Sequence, residues 1–89
     1  MKITILDAQQ TIFQGAVSAA TLPGNGGELT IMDDHEPIFI LLTKGFIRLT
    51  QLAQRVGPVF GGKHEEIKPV FIRQGLARMR HNELVILVE

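Results

Sequence analysis

Eighty-nine residues leave room for one domain, and a chain of this size buries only about 60–65% of its unfolded surface, so reliance on partners is expected. Nine basic residues balance nine acidic ones, which removes any global field that would draw in nucleic acid or an anionic membrane. The absence of cysteine excludes a disulfide framework and any thiolate metal site, and no apolar run exceeds the five residues of Ile38 to Leu42, far short of the ~20 residues of a spanning helix.

Alternation of apolar and polar side chains predicts strands throughout. Lys2 to Leu6 alternates with Ile3 and Ile5 on one face. Ile12 to Leu22 reads as one extended run interrupted at Gly15, the place for a bulge or a close backbone approach. Glu28 to Met32 is a short strand with Leu29 and Ile31 on one side. Ile38 to Leu42 is continuously apolar, the pattern of a strand covered on both faces. Phe46 to Leu52, Val70 to Gln74, Leu76 to Arg80 and Glu83 to Val88 follow, the last two joined across a His81-Asn82 turn. Helical signal is nearly absent. The fold class is therefore all-β, a flattened antiparallel β-sandwich of about eight to ten short strands.

One segment stands apart. Residues 53–68 hold Gly57, Pro58, Gly61 and Gly62 and the charged run Lys63-His64-Glu65-Glu66 between two strands. They read as a long loop in a single domain spanning residues 1–89, and a loop of that length in a small domain is functional or mobile. Val59 and Phe60, two large apolar groups at its centre, either extend the hairpin, fold back on the sandwich or contact a partner, and the partner contact is the favoured reading.

The chemistry-bearing stretch runs from Leu22 to Pro37. Gly24-Asn25-Gly26-Gly27 is a tight turn rather than a phosphate cradle, because a strand follows it and no Lys or Ser/Thr stands at the required spacing. Asp33, Asp34, His35 and Glu36 carry metal-ligating atoms, but four consecutive residues do not converge readily on one ion. They read as a solvated or protein-contacting turn. Arg73, Arg78, Arg80 and His81 form a basic concentration, with Arg78 and Arg80 on one strand face. Without Trp or Tyr to stack bases, that stripe does not read as a nucleic-acid site. No Ser-His-Asp or Cys-His pattern and no paired carboxylates in an evident cleft are found, so neither catalysis by the chain alone nor a cofactor is expected.

Taken in order, the segments resemble the N-terminal β-sandwich domain of the F-type ATP synthase epsilon subunit, called delta in mitochondria. The carriers are Ile3-Thr4-Ile5-Leu6-Asp7 with Ile12-Phe13-Gln14-Gly15, Leu22-Pro23-Gly24 with Gly27-Glu28-Leu29, and His35-Glu36-Pro37. Lys44-Gly45-Phe46-Ile47-Arg48-Leu49, Gly75-Leu76-Ala77 and Asn82 to Val88 complete the set, in order over nearly the whole chain. The chain departs from the family pattern at Asp34 and Glu36, where Gly and Ala flank the family histidine, and at Arg73-Gln74-Gly75, which stands for Ser-Gly-Gly. The segment 53–68 exceeds the family's hairpin. At Glu89 most members continue into a two-helix domain that inhibits the catalytic head and in some members binds ATP; neither activity is expected of these residues.

The resemblance implies a non-catalytic rotor component of a proton- or sodium-translocating synthase. Such a subunit docks on gamma and on the c-ring to couple ring rotation to the catalytic head. By position, Glu28, Asp33, Asp34 and His35 form the rim that faces the polar loops of the c-ring and the foot of gamma. Ile38, Ile40, Leu42 and Leu76 are the candidates to face gamma. The implied location is the cytoplasmic face of the bacterial inner membrane, reached through the c-ring without insertion. The alternative from a different class is a stand-alone β-sandwich module whose ligand face is built from Arg78, Arg80 and the long loop.

Overall fold

The computed structural model describes residues 1–52 and 64–89. Its strands are β1 (Lys2–Leu6), β2 (Thr11–Ala16), β3 (Ala19–Gly24), β4 (Gly27–Met32), β5 (Ile38–Leu42), β6 (Gly45–Leu52), β7 (His64–Ile72), β8 (Gly75–Arg80) and β9 (Glu83–Val88). No helix occurs among the described residues. The strands form one curled sheet in the order β2-β1-β9-β8-β5-β3-β6-β7, with β4 pairing the free side of β3. The curl divides into two halves, β2-β1-β9-β8-β5 and β4-β3-β6-β7, which meet where Gly24 of β3 pairs with Leu42 of β5. All pairings among the described strands are antiparallel except that of β1 with β9.

Period-two alternation places the core between the halves. Ile3, Ile5, Leu84 and Ile86 from one half and Leu22, Ile31 and Ile47 from the other are fully buried in a single apolar cluster. Each such side chain contributes about 1.5–3 kcal/mol by leaving water. Among the described residues no polar or charged side chain is buried, so the polar chemistry lies wholly on the surface and in the turns.

Two turns follow directly from their residues. His81 and Asn82 both take positive φ (52° and 56°), as the favoured two-residue hairpin turn requires, and the β8–β9 register closes on Arg80 opposite Glu83. Asn25-Gly26 closes β3 onto β4, and Gly27 leaves the turn at φ 128°, a value that glycine adopts freely.

Three boundaries differ from the sequence reading. Ile12 to Leu22 is two strands, because the chain crosses between the halves at Val17 and Ser18. Val17 is buried with its N–H on the Met1 carbonyl, while the Ser18 N–H (2.8 Å) and hydroxyl (3.0 Å) both donate to the Thr50 carbonyl. Gly15 sits in regular register with Ile3; the irregularity falls at Ile12, which the β1–β2 ladder skips. The third difference shortens the expected loop over 53–68, since β7 begins at His64 and its backbone pairs with β6 from Leu52 onward. This strand lies at the end of the sheet order, where charges and Pro69 are tolerated because the outer side of its backbone pairs with no strand among the described residues. Val59 and Phe60 lie outside the described residues.

Candidate functional site

Strand β5 carries the largest departure from the sequence reading. Ile38 and Ile40, two of the expected gamma-facing positions, are partly buried against the core, and a third, Leu42, is buried in it. The outer face of β5 presents Phe39 and Leu41 instead, 64% and 55% exposed. A continuous apolar run gives no clue to phase, and a slip of one residue exchanges the two faces. Of the four candidates only Leu76 stands on the outer surface, 36% exposed.

Register then extends Leu41 into a row. Leu41 pairs with Leu76, Leu76 with Leu87, and Leu87 with Leu6, placing four leucines side by side across β5, β8, β9 and β1. The next row is Phe39, Arg78, Val85 and Thr4. Leu87 is 49% exposed, and a shallow depression of about 580 Å³ runs beside the leucine row, reaching Asn25 and Arg73. A contiguous apolar row on an exposed sheet face is a candidate interaction surface. Leu87 was legible as the polar-phase residue that is not polar: in Glu83–Val88 the inward positions Leu84, Ile86 and Val88 leave it facing out.

The expected rim divides in two. Glu28 sits at the start of β4, opposite Pro23, and its Oε2 lies 2.6 Å from Nη2 of Arg48 on the far side of β3. Asp33, Asp34 and His35 follow the other end of the same strand, and at ~3.3 Å per residue Glu28 and Asp33 stand ~16 Å apart. The strand does not bring Glu28 to His35. Each member of the far turn is fixed by its own contact. The Met1 ammonium pairs with Asp33 and also donates to the Val17 carbonyl at 2.8 Å. Asp34 takes φ 60° and its N–H donates to Asn82 Oδ1 at 2.8 Å. His35 Nδ1 donates to the Glu36 carbonyl at 2.7 Å, which leaves Nε2 as the ring nitrogen that can meet another group.

Three of the four basic residues gather: Arg78, Arg80 and His81 line one small depression with Glu83 and Val85, and only Arg73 stands elsewhere. Arg78 and Arg80 are exposed on the outer face of β8, Arg80 opposite Glu83, and Arg73 lies beyond the end of β7. Among the described residues no three His, Asp or Glu side chains converge closely enough to hold a metal ion.

Comparison with known proteins gives a consistent answer. The family described as the β-sandwich domain of the ATP synthase delta/epsilon chain matches residues 1–89. The ATP synthase epsilon chain 2 of Ralstonia nicotianae is 24% identical over 89 residues, covering 100% of this chain and 56% of its own length. That of a Janthinobacterium species is 26% identical over the same span and share. The epsilon chain of Gluconacetobacter diazotrophicus reaches 35% over 51 residues, 57% of this chain and 36% of its own. The chain thus spans just over half the length of the first two relatives. Among solved structures, a chain of the Tetrahymena thermophila mitochondrial ATP synthase central stalk and c-ring superposes with a TM-score of 0.71 at 18% identity, over 98% of this chain and 61% of that one. A chain of the Euglena gracilis mitochondrial enzyme gives 0.70 at 23%, over 97% and 48%. At these identities the structural likeness is one of fold.

Proposed function

The chain belongs to the ATP synthase delta/epsilon-chain β-sandwich family, and we propose that it serves as a non-catalytic central-stalk component that couples c-ring rotation to the catalytic head of an F-type ATP synthase. The observation that carries this reading is the leucine row Leu41–Leu76–Leu87–Leu6 with Phe39 beside it. An apolar row of this kind, left open on a strand whose opposite side is core, suits a long-lived contact with another subunit. In this reading gamma covers it.

The two ends of β4 then meet different partners. The Glu28 end faces the polar loops of the c-ring, where a guanidinium or ammonium competes with Arg48 for the carboxylate. The Asp33–His35 turn faces the foot of gamma, with His35 Nε2 available for a hydrogen bond. The location that follows is the cytoplasmic face of a bacterial inner membrane, held there through the c-ring. Co-purification of gamma and c-ring with the tagged chain tests the assignment. Leu41→Ser combined with Leu87→Ser is expected to abolish gamma recovery while circular dichroism stays unchanged; undiminished recovery overturns it.

A further inference from the structure

The outer face of the other half of the sheet carries a second apolar surface with a charge character of its own. Phe46 and Phe71, paired across β6 and β7, meet edge to face with ring centroids 5.2 Å apart, and they are 54% and 51% exposed. Phe46 also lines an open depression of about 620 Å³ with Pro23 and Pro69. Lys44 and Arg48 stand on the same depression, with Glu28 as the one carboxylate among its described lining residues. Among the described residues the count is two cations against one anion.

The β6–β7 ladder explains how Arg48 comes to be there. Ile47 pairs with Val70 and Leu49 with Ile67, so Arg48 stands alone against Lys68 and Pro69. The extra residue lies on β7 and bends that strand, while regular alternation along β6 keeps Arg48 on the outer face with Phe46. Arg48 engages Glu28 through Nη2 only, its other N–H donors have no partner among the described residues, and Lys44 makes no ion pair among them. An aromatic and proline floor with unspent guanidinium and ammonium donors at its edge is complementary to a carboxylate carried next to an aromatic or apolar side chain.

We infer that this face is a docking surface for an acidic-apolar protein segment, one carboxylate reaching Arg48 and Lys44 while its neighbour covers Phe46 and Phe71. The surface is separate from the leucine row and does not depend on the assignment of that row to gamma. It is compatible with the reading of Glu28 above, because a carboxylate drawn to an outside cation leaves Arg48 free for an incoming acid.

The test titrates the isotope-labelled 89-residue chain with N-acetyl-aspartyl-phenylalanine amide and follows its amide resonances by NMR. The asparaginyl and lysyl analogues serve as probes of charge. The expected result is a set of shifts centred on Phe46, Arg48 and Phe71 that saturates with the aspartyl probe and weakens roughly tenfold with the asparaginyl one. Arg48→Gln and Lys44→Gln, both at exposed positions, should each reproduce that loss with the spectrum of the folded chain otherwise retained. Equal response to the lysyl probe overturns the inference, as does a response centred on Leu41 and Leu87. Shifts at Phe46 and Phe71 that depend on protein concentration alone identify a second copy of the chain as the occupant and overturn it too.

Discussion

The Asp34 amide donates to Asn82 Oδ1 at 2.8 Å, tying the turn after β4 to the turn between β8 and β9, 48 residues away in sequence. Both residues hold positive φ, 60° and 56°. Two turns that are each costly for most side chains therefore brace one another. Asn82→Ala removes the acceptor and puts alanine in the left-handed region, for a combined loss of about 1–2 kcal/mol. Asn82→Gly removes the acceptor but relieves the backbone, so its loss should be smaller. Urea midpoints at unchanged slope measure both, and equal losses would mean that the backbone term is absent.

Gly75 tests a close approach rather than a torsion. A Cβ built there would stand 2.5 Å from the Leu87 carbonyl oxygen, a backbone atom that cannot swing aside. Gly75 pairs with Val88 in the ladder, so the strain falls directly on the β8–β9 hairpin and on the leucine row that it carries. Gly75→Ala should cost about 1–3 kcal/mol, read as a lowered thermal midpoint. A midpoint at or above the parent's would mean the hairpin opens without cost.

These two sites mark what the sequence makes legible. The His81-Asn82 turn and the alternating strands around it could be read directly, because turn chemistry and period two are local signals. The phase of Ile38–Leu42 could not, since five apolar residues in a row fit either face and only the ladder to Met79, Ala77 and Gly75 decides. The start of β7 was hidden for a related reason: His64 to Lys68 reads as loop because an edge strand is free to be charged. Glu28 and His35 looked like neighbours seven residues apart, yet the intervening β4 is extended and separates them along nearly its whole length. The parallel pairing of β1 with β9 joins the two ends of the chain and has no local signature.

Glu28→Lys separates the contact from the fold. The Glu28–Arg48 pair is more than half exposed on the carboxylate side (58%) and half exposed on the guanidinium side (50%). Its loss should cost about 0–1 kcal/mol, and the thermal midpoint should move little. Placed against Arg48 and Lys44, the new lysine turns the depression wholly basic, so recovery of the c-ring with the chain should fall while recovery of gamma through the leucine row persists. Parallel loss of both partners would mean that Glu28 is not a separate contact.

Ile86 and Leu87 are consecutive in β9 and face opposite ways, which makes them a matched pair for dissecting stability from docking. Ile86 is fully buried, against Ala77 of β8 in the ladder, and shares the core with Ile5. Ile86→Ala leaves a cavity and should cost about 2–5 kcal/mol, enough to populate the unfolded state of a small domain. Leu87 stands in the outer row between Leu76 and Leu6 and is half exposed. Leu87→Ser should change stability by no more than about 1 kcal/mol, because the isolated chain leaves much of that side chain in water. If gamma covers the row, as proposed, the same substitution should weaken gamma binding by a far larger factor than its effect on folding. Denaturant melts of the two variants set beside their recovery of gamma decide the point. If Leu87→Ser destabilises the chain as much as Ile86→Ala, the row is part of the fold rather than a surface kept for a partner.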